Sequence, residues 1–189
     1  MSWNEGSSDE ELMLLYREGD AGAFDALYGR HRGGVYRYCL RQCRDAATAE
    51  ELFQDVWMNL IRARAAYTVQ AKFTTYLYRL AHNRLVDHYR QHRPTMVTVD
   101  EDDCDVLDSI PDKREQPADV ALDVKRQAER LKALIAELPE AQREAFLLQQ
   151  EGGLTVEQIA SATGVTRETA KSRLRYAFAK LREGLAPWR

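Results

Sequence analysis

Six cations lie close together near the carboxyl end of the chain, and their spacing suits contact with a nucleic acid. Against one anion, Glu168, the segment 167–182 carries Arg167, Lys171, Arg173, Arg175, Lys180 and Arg182. Its net charge is therefore +5, whereas the whole chain has a net charge of −3. Arg167, Lys171 and Arg175 recur every four residues, so a helix would place them on one face. The chemistry indicated is binding of phosphates and hydrogen bonding to base edges.

A helix, a tight turn and a second helix would position these cations. Thr155 and Gln158 have the spacing of a capping box, and Gly164 can adopt the positive φ that ends many helices. Ile159 and Ala160 can pack against the second helix, whose own apolar stripe consists of Ala170, Leu174, Ala177 and Leu181. The pattern predicts a helix-turn-helix with its second helix in the major groove. The alternative is a structural helix pair with a solvated charged face.

Composition indicates a helix-rich protein with a hydrophobic core. The 189 residues are 44% hydrophobic and 30% charged. No apolar run approaches the roughly 20 residues of a membrane span, and the acidic, polar start MSWNEGSSDEE is unlike a secretory signal. We therefore expect a cytoplasmic protein without membrane insertion.

Cysteines and histidines are the candidates for metal or redox chemistry. Cys39 and Cys43 would share a helical face, as would His88 and His92, and Cys104 is the third cysteine. No zinc-finger spacing or acidic third ligand accompanies them. We expect semi-buried thiols in a reducing compartment, surface or nucleic-acid-facing histidines, and no cofactor. No nucleophile–base pair stands out, so no catalytic site is predicted. A nucleic-acid enzyme that binds a metal through these residues is an alternative.

Charge divides the chain into two helical modules and a linker. Residues 100–115 include eight acidic residues and only two basic ones, and prolines occur at 94, 111 and 117. This composition predicts an acidic, flexible linker over 94–119. The flanking segments, 8–93 and 120–186, show helical periodicity. The expected fold is all-α, with two small helical domains, the second containing the helix-turn-helix.

Capping and glycine signals divide the first module into helices. Ser8 and Glu11 have capping-box spacing for the first helix, a second helix is expected over about 21–43, and Asp45 can cap a third. The pair Gly33-Gly34 would weaken the second helix and allow a kink.

The third helix has an acidic outer face. The inward pairs Leu52/Phe53, Val56/Trp57 and Leu60/Ile61 recur every four residues, which leaves Glu50, Glu51, Gln54, Asp55 and Asn59 outside. Such a face suits a basic protein partner better than DNA. Ordinary solvated charge is an equally good explanation.

The fourth helix, expected over about 74–91, mixes arginines with aromatic residues. Its predicted outer face collects Arg79, Arg84, Arg90 and, just beyond, Arg93, interleaved with Tyr76, Tyr78 and Tyr89. Guanidinium groups can hold a single-stranded backbone while aromatic rings stack on unpaired bases. Alternatively, the tyrosines fill the core and the arginines are solvated.

The combination of these segments resembles the extracytoplasmic-function (ECF) sigma factors of bacterial RNA polymerase. The segments AEELFQDVWMNLIRA (49–63), FTTYLYRLAHNRLVDHYRQHR (73–93) and the helix-turn-helix region (138–183) occur in that family's order, with an acidic linker between the second and third. The resemblance covers nearly the whole chain. It implies a promoter-specificity subunit whose partners are core polymerase (the β′ clamp helices and the β subunit), promoter DNA and, in many family members, an anti-sigma factor.

Individual site residues follow from this resemblance. Glu51, Gln54 and Asp55 match the polymerase-binding motif, and the loop at about 65–72 matches the loop that captures a flipped −10 base. The residues expected to contact the −10 element are Tyr76, Arg79, Asn83, Asp87, Arg90 and Arg93, with Tyr76 standing where the family often has Trp. Asp87 could alternatively form a helical pair with Arg90. The residues expected to read the −35 element are Arg167, Lys171, Ser172, Arg173 and Arg175. The alternative function is a stand-alone helix-turn-helix regulator.

Overall fold

The computed structural model of the protein describes residues 6–92 and 118–186. All regular secondary structure in these two ranges is helical, as predicted. The acidic segment predicted as a flexible linker, together with Arg93 and Cys104, lies outside the described residues, except that 118 and 119 belong to a helix.

Four α-helices and a short 3₁₀ helix form the described part of the first module. The α-helices are α1 (Asp9–Arg17), α2 (Ala21–Cys43), α3 (Ala46–Ala63) and α4 (Phe73–His92), and the 3₁₀ helix spans Arg64–Ala66. The predicted capping box is present, since Ser8 accepts a hydrogen bond from the Glu11 amide and the Glu11 carboxylate accepts one from the Ser8 amide. Asp45 caps α3 as predicted, accepting a hydrogen bond from the Thr48 amide at 2.6 Å. Local polar signals thus start these helices where the sequence predicts.

Aromatic rings dominate the core of the first module. Trp57 of α3 makes edge contacts with Phe24 and Tyr28 of α2, at centroid distances of 5.9 and 4.9 Å. The predicted inner face of α3 is confirmed: Leu52, Val56, Trp57 and Leu60 are buried, and Phe53 and Ile61 are half-buried. Burial of this face leaves the acidic side of α3 toward solvent.

Four more helices form the second module. They are α5 (Ala118–Glu137), α6 (Glu140–Gly152), α7 (Val156–Thr163) and α8 (Arg167–Leu185). Helix α5 starts slightly before the boundary predicted at 120. Pro139 is the N-cap residue of α6, with ψ at 141°. Its carbonyl accepts hydrogen bonds from the amides of Gln142 and Arg143, so the proline precedes the helix that it starts.

The two modules pack directly against each other, which the sequence did not predict. Helix α4 lies against α7, and α2 lies against α6. The buried apolar residues of both modules form one continuous cluster. Gly34 lies at this contact, where a Cβ would be 2.8 Å from Tyr78 Oη and 3.0 Å from the carbonyl oxygen of Glu151. The glycine pair was expected to weaken α2, but α2 is uninterrupted, and Gly34 instead permits close approach of the modules.

We expect Gly34→Ala to push the modules apart. A methyl group at this position would collide with Tyr78 and with backbone of α6, and backbone cannot move aside at low cost. The radius of gyration of the full chain, measured by small-angle X-ray scattering, should increase. Gly29→Ala is the matched control, because Gly29 belongs to the same helix and nothing lies within 4 Å of the added Cβ.

The control should stabilise the protein by about 0.5–1 kcal/mol through helix propensity alone. If the scattering profile of Gly34→Ala matches that of the control, the close approach at Gly34 does not hold the modules together.

Candidate nucleic-acid and protein interfaces

An acidic and amide-bearing patch lies on the solvent side of α3. Glu51 and Gln54 are exposed and Asp55 is half-buried, and all three lie on the face opposite the buried residues of this helix. Met58 belongs to the same face and is 44% exposed, which was not predicted, because only the polar residues were assigned to the outer face of α3. The patch thus combines carboxylates with one exposed apolar side chain, a composition suited to a protein partner.

Arg84 does not belong to the outer face of α4, contrary to the prediction. Its side chain is only 16% exposed and contacts α3, where Nε donates a hydrogen bond to Oδ2 of Asp55 at 2.5 Å. A terminal guanidinium nitrogen lies 3.6 Å from Glu51 Oε1. Helical periodicity could not predict this ion pair, because it depends on how α3 and α4 pack against each other.

Four of the α4 residues predicted to contact the −10 element share one exposed side. Arg79, Asn83, Asp87 and Arg90 are all exposed and lie on the same side of the helix, so they can reach a nucleic acid. Asp87 and Arg90 also form the predicted helical pair, at 3.9 Å with both side chains more than half exposed. Such a pair adds little stability.

Tyrosines along α4 take different positions. Tyr76 is half-buried, with its ring 5.2 Å from that of buried Tyr67 at a steep angle, and burial raises the pKa of Tyr76. Tyr78 is only 1% exposed and contacts Tyr38 edge-on. Tyr89 is half-buried, and its hydroxyl donates to the carbonyl oxygen of Gln42. Tyr78 therefore fills the core, whereas Tyr76 and Tyr89 are only partly accessible.

The loop at 65–72 is held at both ends by α1. Arg17 donates a hydrogen bond to the carbonyl oxygen of Tyr67 at 3.1 Å, and Glu10 accepts one from the amide of Phe73 at 2.6 Å. Between these ends Val69 is 52% exposed. These contacts of Glu10 and Arg17 were not predicted, because charged side chains in a first helix carry no local signal for a loop that lies at least 50 residues away in the chain.

The helix-turn-helix forms as predicted. The capping box of Thr155 and Gln158 is complete, and Gly164 ends α7 with φ at 67°. Thr166 caps α8 through the amide of Thr169. The predicted stripe, Ala170, Leu174, Ala177 and Leu181, is buried against the module core. This packing points the opposite side of α8 toward solvent.

Most cations predicted to read the −35 element are available on α8. Arg167, Lys171 and Arg175 are exposed, whereas Ser172 and Arg173 are half-buried. Arg167 is ion-paired, with Nε 2.6 Å from Glu157 of α7, and this hydrogen bond lowers the pKa of Glu157. The guanidinium of Arg175 lies 5.0 Å above the ring centroid of Tyr176. The first cation is therefore held by α7, and Arg175 is oriented by its aromatic neighbour.

Buried polar contacts join the two modules around Glu144 of α6. Its Oε1 accepts a hydrogen bond from Tyr38 at 2.8 Å and lies 2.7 Å from Nδ1 of His82. Arg143 donates to Gln42 Oε1 at 3.2 Å. Burial, with a further contribution from Glu144, raises the pKa of Tyr38 well above its usual range. Glu144 and Arg143 are only 8% and 6% exposed, so charged groups, unusually, line the contact.

The described cysteines are shielded thiols. Burial raises the pKa of Cys39 to about 12 and that of Cys43 to about 11. In residues 6–92 and 118–186 no three His, Cys, Asp or Glu side chains are grouped as a metal site would need. In the same two ranges no helix has the length and apolarity for crossing a membrane.

Comparison with known proteins assigns both modules to transcription initiation. Residues 27–95 match the model of sigma-70 region 2, and residues 128–181 match that of sigma-70 region 4. The ECF RNA polymerase sigma factor SigK of Mycolicibacterium vanbaalenii is 31% identical over 177 residues, covering 93% of this chain and 88% of the relative. CarQ of Myxococcus xanthus, an RNA polymerase sigma factor, is 29% identical over 173 residues, covering 90% and 94%.

Solved structures share the fold. CnrH in complex with the cytosolic domain of CnrY has a TM-score of 0.67 at 18% identity, over 96% of this chain and 99% of that one. RpoE in complex with the anti-sigma factor NepR, from Bartonella quintana, has a TM-score of 0.65 at 19% identity, over 86% and 96%.

The two modules, with their family matches, define a sigma-type initiation factor, a promoter-specificity subunit that binds core RNA polymerase and directs transcription initiation. Within that class the chain belongs to the ECF sigma factors. Because the relatives match across both modules, the stand-alone regulator is not favoured.

We expect the two described thiols to resist alkylation in the folded protein. At pH 8 a pKa of about 11, against an ordinary value of 9.0, lowers the thiolate fraction of Cys43 on the order of 100-fold. In a Cys104→Ser variant, iodoacetamide should label Cys39 and Cys43 slowly in buffer and rapidly in urea. Labelling of the native protein at the rate of free cysteine would contradict the burial of both thiols.

Proposed function

We propose that the three surfaces divide the work of promoter recognition. Glu51, Gln54 and Asp55 on α3 dock on a basic surface of core polymerase. The exposed side of α4 contacts the −10 element, and the exposed side of α8 reads the −35 element. The observation that carries this assignment is the separation of charge: carboxylates face solvent on α3, whereas cations face solvent on α4 and α8.

The −10 step uses Tyr76, Arg79, Asn83, Asp87, Arg90 and Arg93. The surface members on α4 are supported by their shared side and by the loop at 65–72, which α1 anchors next to Tyr76. A base leaving the duplex stack costs a few kcal/mol, which contacts with protein must offset. Rigid anchoring of the loop favours this step because little conformational entropy is then lost on binding.

The −35 step uses Arg167, Lys171, Ser172, Arg173 and Arg175 of α8. Arg175 is supported as a base reader because its guanidinium is exposed and oriented by Tyr176. Lys171 is exposed without a planar donor array and suits a phosphate contact. The chain would act in the cytoplasm as a binding subunit without catalysis of its own, and a partner of the anti-sigma class is part of the proposal.

Promoter binding requires the modules to separate. The −35 and −10 elements lie about 25 base pairs apart, or roughly 85 Å of duplex at about 3.4 Å per base pair. In the packed arrangement α8 packs on α7 and α7 on α4, and neighbouring helix axes are only about 8–10 Å apart. One packed molecule therefore spans too little distance to hold both elements, and core polymerase must engage an opened form.

We expect Gln54→Ala combined with Asp55→Ala to weaken core polymerase binding by at least about 2 kcal/mol, as for other central interface residues. Affinity for purified core enzyme can be measured by fluorescence anisotropy, with circular dichroism as the check on folding. Asp25→Ala is the matched control, since it removes an exposed carboxylate from α2 of the same module, away from the α3 face. Equal affinity of the double variant and the control would refute docking through this face.

We expect Arg175→Ala to cost the holoenzyme roughly 1–3 kcal/mol of affinity for promoter DNA if the guanidinium reads a base edge. The loss should be smaller on DNA with a scrambled −35 element. Arg175→Lys should keep much of the affinity but lose discrimination between the two DNAs, because an ammonium cannot form the bidentate contact. An equal loss on both DNAs would make Arg175 a phosphate contact instead.

A further inference from the structure

Arg84 lies between the face assigned to polymerase docking and the helix assigned to the −10 element. Its guanidinium is the inner partner of the ion pair, 16% exposed, while the side chains of Asp55 and Glu51 are 41% and 68% exposed. Asn83, the residue before it, lies at the surface on the side of α4 assigned to DNA. One side chain therefore joins the two helices at the point where their proposed functions meet.

Geometry of the docking carboxylates depends on this cation. Glu51 and Asp55 are four residues apart on α3, a spacing at which like charges repel. Arg84 lies 2.5 Å from Asp55 and 3.6 Å from Glu51, so it offsets the repulsion and restricts Asp55 to one orientation. An ion pair this exposed on its acidic side contributes little to folding stability. Its effect is on the orientation of Asp55.

A carboxylate can accept several hydrogen bonds at once. While Arg84 donates a hydrogen bond to Oδ2 of Asp55, the exposed part of the carboxylate can still accept a hydrogen bond from a cationic side chain of a partner. Arg84 reaches Asp55 from the α4 side, so the partner would approach from solvent. The arrangement presents a preoriented acceptor, which lowers the ordering cost of binding.

We infer that Arg84 is a positioning residue for polymerase docking, which orients Asp55 toward core polymerase and ties the docking helix α3 to the −10 helix α4. This inference rests on the proposed docking role of α3. Arg84 itself contacts neither polymerase nor DNA. The planar guanidinium group, with its several N–H donors, matters as much as the charge, because one side chain must reach both the Asp55 and the Glu51 carboxylates.

Removal of Arg84 has two opposite effects on docking, and kinetics separates them. The docking face becomes more negative, which should speed association with a basic partner, most visibly at low salt. Asp55 also loses its fixed orientation, which should speed dissociation. A positioning role predicts that the second effect dominates the affinity.

The test is a double-mutant cycle on core polymerase binding. Association and dissociation rates of Arg84→Met, Asp55→Asn and the double variant are measured by biolayer interferometry at two salt concentrations. We expect Arg84→Met to raise the dissociation rate roughly tenfold, as for coupled neighbouring charges, and to add no further increase to that of the Asp55→Asn variant. Arg84→Lys should recover only part of the loss.

Arg130→Met is the charge-matched control, because it removes an arginine that is ion-paired with Glu137 of its own helix, α5, to which no binding role is assigned. Dissociation rates should not change in this variant. The positioning role would be overturned if Arg84→Met raises the dissociation rate by the same factor with and without the Asp55→Asn substitution. It would also be overturned if Arg84→Met does not raise the dissociation rate at all. If Asp55→Asn alone leaves both rates unchanged, the docking assignment itself is wrong, and the inference falls with it.

Discussion

Helix α4 contacts α3 on one side and the second module on another, and it exposes a third side to solvent. The arrangement of the whole molecule depends on which residues lie on each side. Arg84 meets the carboxylates of α3, Tyr78 and His82 meet the second module, and Asn83 faces solvent. At about 3.6 residues per turn, consecutive residues such as 82, 83 and 84 point about 100° apart. Three adjacent positions can therefore serve three different surfaces, and none can shift without moving the others.

Polarity of the contact between the modules suits a reversible closure. Apolar contacts hold the modules together, but Glu144, Arg143 and Gln42 are buried among them. Such groups are stabilised by mutual hydrogen bonds when the modules pack and by water when the modules part. Burying a charge costs desolvation free energy, and this cost is removed when the modules open and water solvates the charge again. A wholly apolar interface of equal area would favour permanent association. The buried polar groups thus fit the proposal that the modules pack in the free chain and separate on promoter binding.

Local signals predicted much of the fold. Capping boxes at Ser8 and Thr155, and the buried stripes of α3 and α8, formed as expected, because each depends on residues three or four positions apart. The glycine pair in α2 was wrongly predicted to weaken the helix. Gly34 is needed for close approach to Tyr78 and Glu151, which are far along the chain. Arg84 was misplaced for the same reason: its charge suggested solvent or DNA, and its partner is 29 residues away.

By itself, the sequence determined the helices, several of their caps, the buried stripes of α3 and α8 and, through resemblance of whole segments, the family. Hydrogen-bonding and periodicity within a few residues suffice for these. Tertiary structure alone decided which neighbour each buried side meets: Tyr38 and Glu144 are 106 residues apart yet share a hydrogen bond. Periodicity shows that a side chain is covered but not what covers it, because many packings bury the same stripe, and only one brings these polar groups within bonding distance.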